Sequence, residues 1–341
     1  MPEALTLAAA PASGRDDPAR DATPRIAVLI PCYNEEVAIP GVVRAFREAL
    51  PQARIHVYDN NSRDRTRAVA AEAGAIVGVE TLQGKGNVVR RMFADIEADV
   101  YVLVDGDGTY EAAAAPEMVR MLIEQRLDMV TGVRVTPEAE AAAAYRPGHR
   151  FGNAVLTGMV RVVFGDRITD MLSGYRVFSR RFVKSFPALA EGFETETEFT
   201  VHALQLRMPV GELRTAYGER PRGSTSKLNT WRDGFRILRT IVNLAKGERP
   251  LAFFSAAGGV LLLLALALFV PVLVEYLRTG LVPRLPTAVL STGLGIAALL
   301  AFACGLILDT VTRGRKEAKR IAYLGIPAPD FPPAALPPHA P

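Results

Sequence analysis

The sequence predicts an α/β domain with a mostly parallel sheet and helices on both faces, followed by an amphipathic surface helix and two membrane-crossing helices. Three observations carry this expectation. From Arg25 to about Thr225, short apolar strands alternate with segments of helical spacing. The polar clusters Tyr33-Asn-Glu-Glu36, Asp59-Asn-Asn-Ser62 and Asp105-Gly-Asp107 fall at strand ends, where such sheets bind ligands. Beyond Thr230 lie two long runs without a charged residue, Leu251 to Val274 and Leu285 to Leu308.

Residues 1–24, rich in Ala, Pro, Asp and Arg, read as a mobile tail rather than a signal peptide, because Glu3 stands where a cation belongs and Ala4 to Ala10 is short. Ile26 to Ile30 is an apolar run that suits a buried parallel strand. Val37 to Leu50 is helical, with Val42, Val43, Phe46 and Leu50 on one side. Arg54 to Tyr58 is a second strand, and Thr66 to Ala73 a second helix closed by Gly74. Val100 to Val104 is a strand that runs into Asp105-Gly-Asp-Gly108. Pro116 to Gln125 is helical and Met129 to Thr131 is a strand. The domain is expected over residues 25–230, with an amphipathic segment at 231–250. There Phe235, Leu238, Ile241 and Val242 alternate with Arg232, Arg236 and Arg239, as on a helix lying on a membrane.

Residues 251–308 hold the two apolar runs; each is roughly 36 Å long as a helix, enough to cross a hydrocarbon core of about 30 Å. Cations crowd the outer flanks (Lys246 and Arg249 before, Arg313, Arg315, Lys316, Lys319 and Arg320 after), which predicts both termini in the cytoplasm. Residues 309–341 read as a basic, then Pro/Ala-rich, cytoplasmic tail.

Composition narrows the function. The 341 residues are 49% hydrophobic and 22% charged, which excludes a disordered chain. With only Cys32 and Cys304, neither a disulfide framework nor a cysteine zinc site is available, and four histidines argue against a His-rich metal centre. A net charge of +4 does not point to nucleic acid.

Asp105 and Asp107, one residue apart at a strand end, can share a hard divalent cation, Mg²⁺ or Mn²⁺, that bridges a diphosphate. Asp59 can accept hydrogen bonds from a ribose or a base edge, while Asp64 reads as a helix cap. Lys85, between Gly84 and Gly86, reads as a loop lysine able to reach a phosphate; the spacing is not that of a Walker A loop.

In order along about 200 residues, Ile30-Pro-Cys-Tyr-Asn-Glu-Glu36, Asp59-Asn-Asn-Ser-Arg-Asp64-Arg-Thr66, Gly84-Lys-Gly86, Asp105-Gly-Asp107, Asp170-Met-Leu-Ser-Gly-Tyr-Arg176 and Arg220-Pro-Arg-Gly-Ser-Thr-Ser-Lys227 resemble glycosyltransferase family 2, whose fold is GT-A. With the two C-terminal spans the chain is similar to the polyprenyl-phosphate branch of that family, which includes dolichol-phosphate mannose synthase.

The resemblance implies a metal-dependent, inverting hexosyltransferase of the cell envelope, working at the inner membrane. Pro31, Tyr33, Glu35 and Asp59 would hold the nucleoside of a UDP- or GDP-sugar, with Lys85 and Asp105 near its phosphates. Asp105 and Asp107 would hold the metal, and Asp107, Asp170 and Arg176 would be the catalytic set. Arg150, Arg176, Arg220, Arg222 and Lys227 would contact a polyprenyl phosphate, undecaprenyl or dolichyl. Arg146 and His149 add to the cations, and self-association stays open.

Three departures bear on these roles. Thr109 stands where relatives often carry Gln or His, Asn60 replaces the usual acid or Gly, and the basic loop has one residue more before Lys227. A lipid phosphate is largely dianionic near neutral pH and needs little help from a base. A hydroxyl acceptor, as in a polysaccharide or glycolipid synthase, would instead use Asp170, Glu194 or Glu196 as base. A non-catalytic nucleotide-sugar-binding scaffold is the third reading, and the intact Asp pair argues against it.

Overall fold

The computed structural model describes residues 24–135, 169–192, 194–218 and 246–327. Seven strands form one mixed sheet in the order β3-β2-β1-β4-β6-β5-β7. They are β1 (Ile26–Cys32), β2 (Arg54–Asp59), β3 (Ile76–Val79), β4 (Val100–Leu103), β5 (Met129–Val135), β6 (Arg176–Ser179) and β7 (Val210–Ala216). β1, β2, β3 and β4 pair in parallel, as do β5 and β7. Only β6 runs the other way, between β4 and β5. The carboxyl ends of six strands and the start of β6 therefore share one edge, and every strand-end cluster of the sequence lies there.

Strand periodicity divides the core. In β1, Ile26, Val28, Ile30 and Cys32 face one layer while Ala27 and Leu29 face the other, and both layers are buried. The first layer packs against α1 (Ile39–Ala49), α2 (Thr66–Glu72) and α4 (Ala115–Glu124). The second is covered by α3 (Lys85–Asp95), α5 (Arg180–Ser185) and α6 (Thr195–Leu206), with an aromatic cluster of Phe93, Phe178, Phe182, Phe186 and Phe199. α1 begins two residues later than expected because Pro40, which lacks an N–H, fits only the first turn. Pro116 marks the start of α4 in the same way.

Two long helices follow, α7 (Pro250–Thr279) and α8 (Leu285–Leu324), both long and apolar enough to cross a membrane. They form an antiparallel hairpin whose close approach depends on small residues. A Cβ at Gly258 would stand 3.0 Å from Ala298 O, and one at Gly305 3.1 Å from Phe254 Cβ. Large apolar side chains such as Leu263, Leu277, Leu299 and Ile307 stay exposed on the outer faces.

The structure corrects the expected tail. Residues 309–324 continue α8, and its end docks on the sheet domain. Tyr323 donates to Asp128 Oδ2 at 2.7 Å and packs under the Arg181 guanidinium at 5.0 Å. Arg181 also reaches Ile326 O, and Lys319 donates to Gln205 Oε1 at 2.9 Å. The expected amphipathic helix at Asp233 to Leu244 lies outside the described residues.

His202 on α6 is buried against Phe182 and Phe186, contacts Ser185 Oγ at 3.2 Å, and leaves Nδ1 without a partner among the described residues. Burial first, then the charge of Lys319, push its pKa down to about 3. The unfolded chain would thus take up a proton below about 6.5 that the folded chain refuses. Stability is full above that pH and falls as pH drops, by at most about 1.4 kcal/mol per unit from this group. Unfolding midpoints measured between about pH 6.5 and 4.5 should show a shallower slope in His202→Leu than in wild type; equal slopes would contradict a neutral buried imidazole.

Candidate functional site

The first part of the site is two loops sewn together. After β1 the chain turns through Asn34, whose φ of 54° is left-handed. Asn34 N–H donates to Ser62 Oγ at 2.8 Å, and Asn34 Oδ1 accepts from Arg63 N–H at 2.8 Å. Glu35 N–H donates to Thr66 Oγ1 and Glu36 N–H to Asp64 Oδ2. Burial works to raise the Asp64 pKa, but hydrogen bonds from Thr66 and from the Glu36 and Asp64 amides hold it below the ordinary carboxylate range. Pro31 and Tyr33 are half-buried beside Glu35 at this corner. The neighbouring Cys32 thiol is buried and its pKa is pushed well up, which makes it inert.

Asp59, at the end of β2, has no exposed surface. Its Oδ2 accepts from Arg67 Nε at 2.6 Å and from Ser62 N–H, while Oδ1 is buried with no partner among the described residues. A buried carboxylate oxygen without a donor is costly, and because Asp59 has no exposed surface a ligand N–H or O–H would reach it only if the neighbouring side chains moved aside. Next to it, Asn60 donates to Glu80 O and Leu82 O and accepts from Gly84 N–H at 2.7 Å. Asn60 thus shapes the loop that leads into α3.

Lys85 does not lie on a flexible loop, which corrects the sequence expectation. It opens α3, and its ammonium is shared by Asp105 Oδ1 and Glu196 Oε1. Burial works to lower its pKa, yet the two carboxylates outweigh this and raise it above the ordinary lysine value. The flanking glycines serve close packing: a Cβ at Gly84 would strike Glu191 O, and one at Gly86 would strike Ala190 O. Gly84 also adopts φ +133°, which side chains rarely reach. Glu196 sits in the first turn of α6, its Oε2 buried and without a hydrogen-bond partner among the described residues.

Asp105 is the more exposed of its pair, at 31% of its side chain. Asp107 is buried and accepts from Thr109 N–H at 3.1 Å and Thr109 Oγ1 at 2.6 Å. Thr109 therefore orients the second aspartate. Among the described residues no cluster of three or more His, Cys, Asp or Glu could hold a metal alone. Two hard carboxylates do fit Mg²⁺ or Mn²⁺ that completes its coordination with water and a diphosphate.

Two members of the expected catalytic set sit differently from expectation. Asp170 lies in a two-pronged ion pair with Arg134, both contacts at 2.8 Å. Burial alone would raise the Asp170 pKa, but hydrogen bonds and charge from Arg134 bring it below the usual range. A carboxylate so held is a weak base. Arg176 is wholly buried, donating to Ser173 O, Met171 O and Thr200 Oγ1. Burial lowers its pKa to about 10, so it stays charged, but its donors are spent inside the protein. This placement differs from the expected contact with an acceptor phosphate. Arg146, His149, Arg150, Arg220, Arg222 and Lys227 lie outside the described residues.

Arg67 and Arg134, the cations paired with Asp59 and Asp170, belong to none of the candidate roles the motifs assign. Arg67 is the second residue of α2, just after a site loop, and Arg134 stands near the carboxyl end of β5; such positions are the available signal.

Replacing Lys85 by Met should destabilise the fold by about 3–5 kcal/mol, because Glu196 keeps a buried, unpaired charge. Adding Glu196→Gln should recover much of the loss. Chemical unfolding of the two variants checks this, and a single variant as stable as wild type would contradict the buried pair.

The chain matches the model of Glycosyl transferase family 2 over residues 27–186. It is 33% identical to Glycosyltransferase AglJ of Haloferax volcanii, over 88% of this chain and 98% of that one. It is 28% identical to a dolichyl-phosphate hexose transferase of the same organism, over 66% of this chain and 95% of the relative. A solved structure of glucosyl-3-phosphoglycerate synthase from Mycobacterium tuberculosis, in complex with Mn²⁺, UDP and phosphoglyceric acid, superposes with a TM-score of 0.52 at 20% identity, covering 66% of this chain and 78% of that one. That likeness is one of fold, and it agrees with the mixed sheet described above. The chain belongs to glycosyltransferase family 2, and its sheet domain has the GT-A fold.

Proposed function

We propose that the protein moves a hexose from a nucleotide sugar to a polyprenyl phosphate at a membrane surface, with inversion at the anomeric carbon. The observation that carries this reading is the union of the Asp105/Asp107 edge with two long apolar helices through the docked end of α8. An active site so fastened stays beside a lipid acceptor, which raises that acceptor's effective concentration. The similarity to a dolichyl-phosphate hexose transferase supports the acceptor class.

Asp59 Oδ1 would accept from the nucleobase or ribose of a UDP- or GDP-sugar, with Pro31, Tyr33 and Glu35 closing that corner. Asp105 and Asp107 would hold Mg²⁺ or Mn²⁺, which when bound would neutralise charge on the departing diphosphate. Lys85, gripping Asp105, adds a fixed positive charge beside the same group. Arg150, Arg220, Arg222 and Lys227 would receive the lipid phosphate. One lipid-phosphate oxygen forms a bond to the anomeric carbon as the bond from that carbon to the diphosphate oxygen breaks.

No proton need be removed from a phosphate dianion, and the state of two of the three candidate bases accords with that. Asp170 is locked to Arg134 and Glu196 to Lys85. A hydroxyl acceptor would require a carboxylate that is free to take a proton.

In this reading the cation-rich ends of α7 and α8, with the sheet domain, face the cytoplasm. Asp107→Asn should abolish lipid-linked product while unfolding behaviour is preserved. Wild type should use polyprenyl phosphate and reject polyprenol; equal use of the alcohol would transfer the reading to a hydroxyl acceptor. In a Cys304→Ser background, an impermeant maleimide added to whole cells should label Thr279→Cys at the hairpin turn and spare Glu317→Cys. The reverse pattern would invert the topology.

A further inference from the structure

Arg176 heads the sheet domain's fully buried side chains by size. It sits at the start of β6, opposite Leu103 of β4 in the register, two residues before Asp105. Its guanidinium grips two structures. Nε donates to Ser173 O at 3.0 Å and Nη2 to Met171 O at 2.7 Å, which fixes the chain entering β6. Nη1 donates to Thr200 Oγ1 at 3.0 Å, on α6.

Both grips lead to Asp105. On the first path, Ser173 Oγ donates to Gly132 O at 2.6 Å and Gly174 N–H to Tyr110 Oη at 2.9 Å. This presses the backbone of Gly174 against the Asp105 carboxylate; a Cβ at Gly174 would stand 2.9 Å from its carboxyl carbon. On the second path, Thr200 Oγ1 donates to Glu196 O one turn earlier. Glu196 in turn holds Lys85, and Lys85 holds Asp105. The guanidinium is thus a common strut behind the wall and the tether of one carboxylate.

We infer that Arg176 is a positioning residue for Asp105, setting the carboxylate that would receive the divalent cation and the donor diphosphate, and that it does not touch the acceptor. The inference rests on the donor half of the proposed function and is independent of the acceptor half. Charge-assisted hydrogen bonds to three oxygens make the strut stiff, and displacing a group that orients a metal ligand costs metal affinity.

The test uses the full chain in detergent, with UDP and GDP as probes, titrated with and without Mn²⁺. Arg176→Gln should weaken Mn²⁺-dependent diphosphate binding about tenfold or more and raise the Mn²⁺ concentration for half-saturation, leaving metal-free nucleotide affinity and the lipid-phosphate KM unchanged. Arg176→Lys should restore part of the loss. Gly174→Ala reaches the same carboxylate by another route, because its φ is not left-handed and only the Asp105 side chain must yield. It should show the same Mn²⁺ defect even where Arg176→Gln fails to fold. Unchanged Mn²⁺ dependence in Gly174→Ala, or a raised lipid-phosphate KM with intact nucleotide binding in Arg176→Gln, overturns the inference. A wild type that binds neither diphosphate with Mn²⁺ overturns the donor reading and this inference together. A wild type that binds them but ignores polyprenyl phosphate overturns the acceptor reading alone.

Discussion

The site depends on one shared ammonium. Lys85 bridges Asp105, at the end of β4, and Glu196, at the start of α6, so elements far apart in sequence meet at a single charge. A buried Glu196 and a partly buried Asp105 alone would repel each other and lose solvation; the cation between them turns that cost into a fixed geometry. The surrounding sequence serves this contact. Gly84 and Gly86 remove side chains where the backbone at Ala190 and Glu191 must come close, and Glu198 accepts from Leu189 N–H and Ala190 N–H to hold that backbone. Asn60 secures the loop ahead of Lys85 from the β2 side. A flexible lysine would cost side-chain entropy each time it bound; this one is ordered before any substrate arrives.

A second constraint links the domain to α8. Asp128 sits just before β5, where Oδ1 accepts from Ser179 Oγ, the residue that caps α5, and Oδ2 accepts from Tyr323. The last turns of a helix long enough to cross a membrane therefore share a carboxylate with the end of β6, the strand that Arg176 begins. Lys319 and Lys316 extend the docking to Gln205 and Glu248. Such contacts hold the domain at a set distance from the apolar part of the hairpin rather than on a loose tether.

Much of this was legible in the sequence, for a physical reason. Apolar runs such as Ile26 to Ile30 and Val100 to Val104 report burial directly, and the acidic clusters that follow them fall at strand ends because the parallel topology puts them there. Other features depend on pairings that no local pattern encodes. β3 has four residues on a sheet edge, β6 carries a buried arginine, and β7 is only half-buried, so none shows a clean apolar run. Lys85 reads as a loop residue because two glycines flank it, and only the three-dimensional structure shows what those glycines admit. The roles of Arg67, Arg134 and Glu196 lie in partners 8, 36 and 111 positions away.

The distribution of charge at the site also bears on its chemistry. A base must be free to accept a proton, and its pKa must lie near the working pH. Asp170 fails on both counts, with its oxygens engaged by Arg134 and its pKa held low. Glu196 shares the Lys85 ammonium, and a proton arriving on it would leave Lys85 with a weakened partner in a buried place. Acids so firmly paired are suited to fixing cations and to holding a loop in place, and poorly suited to exchanging protons during turnover. An acceptor that arrives already ionised needs no such exchange. It needs two anions to be brought together against their repulsion, which is work for fixed positive charge and for the rigid edge that the Arg176 and Lys85 grips maintain.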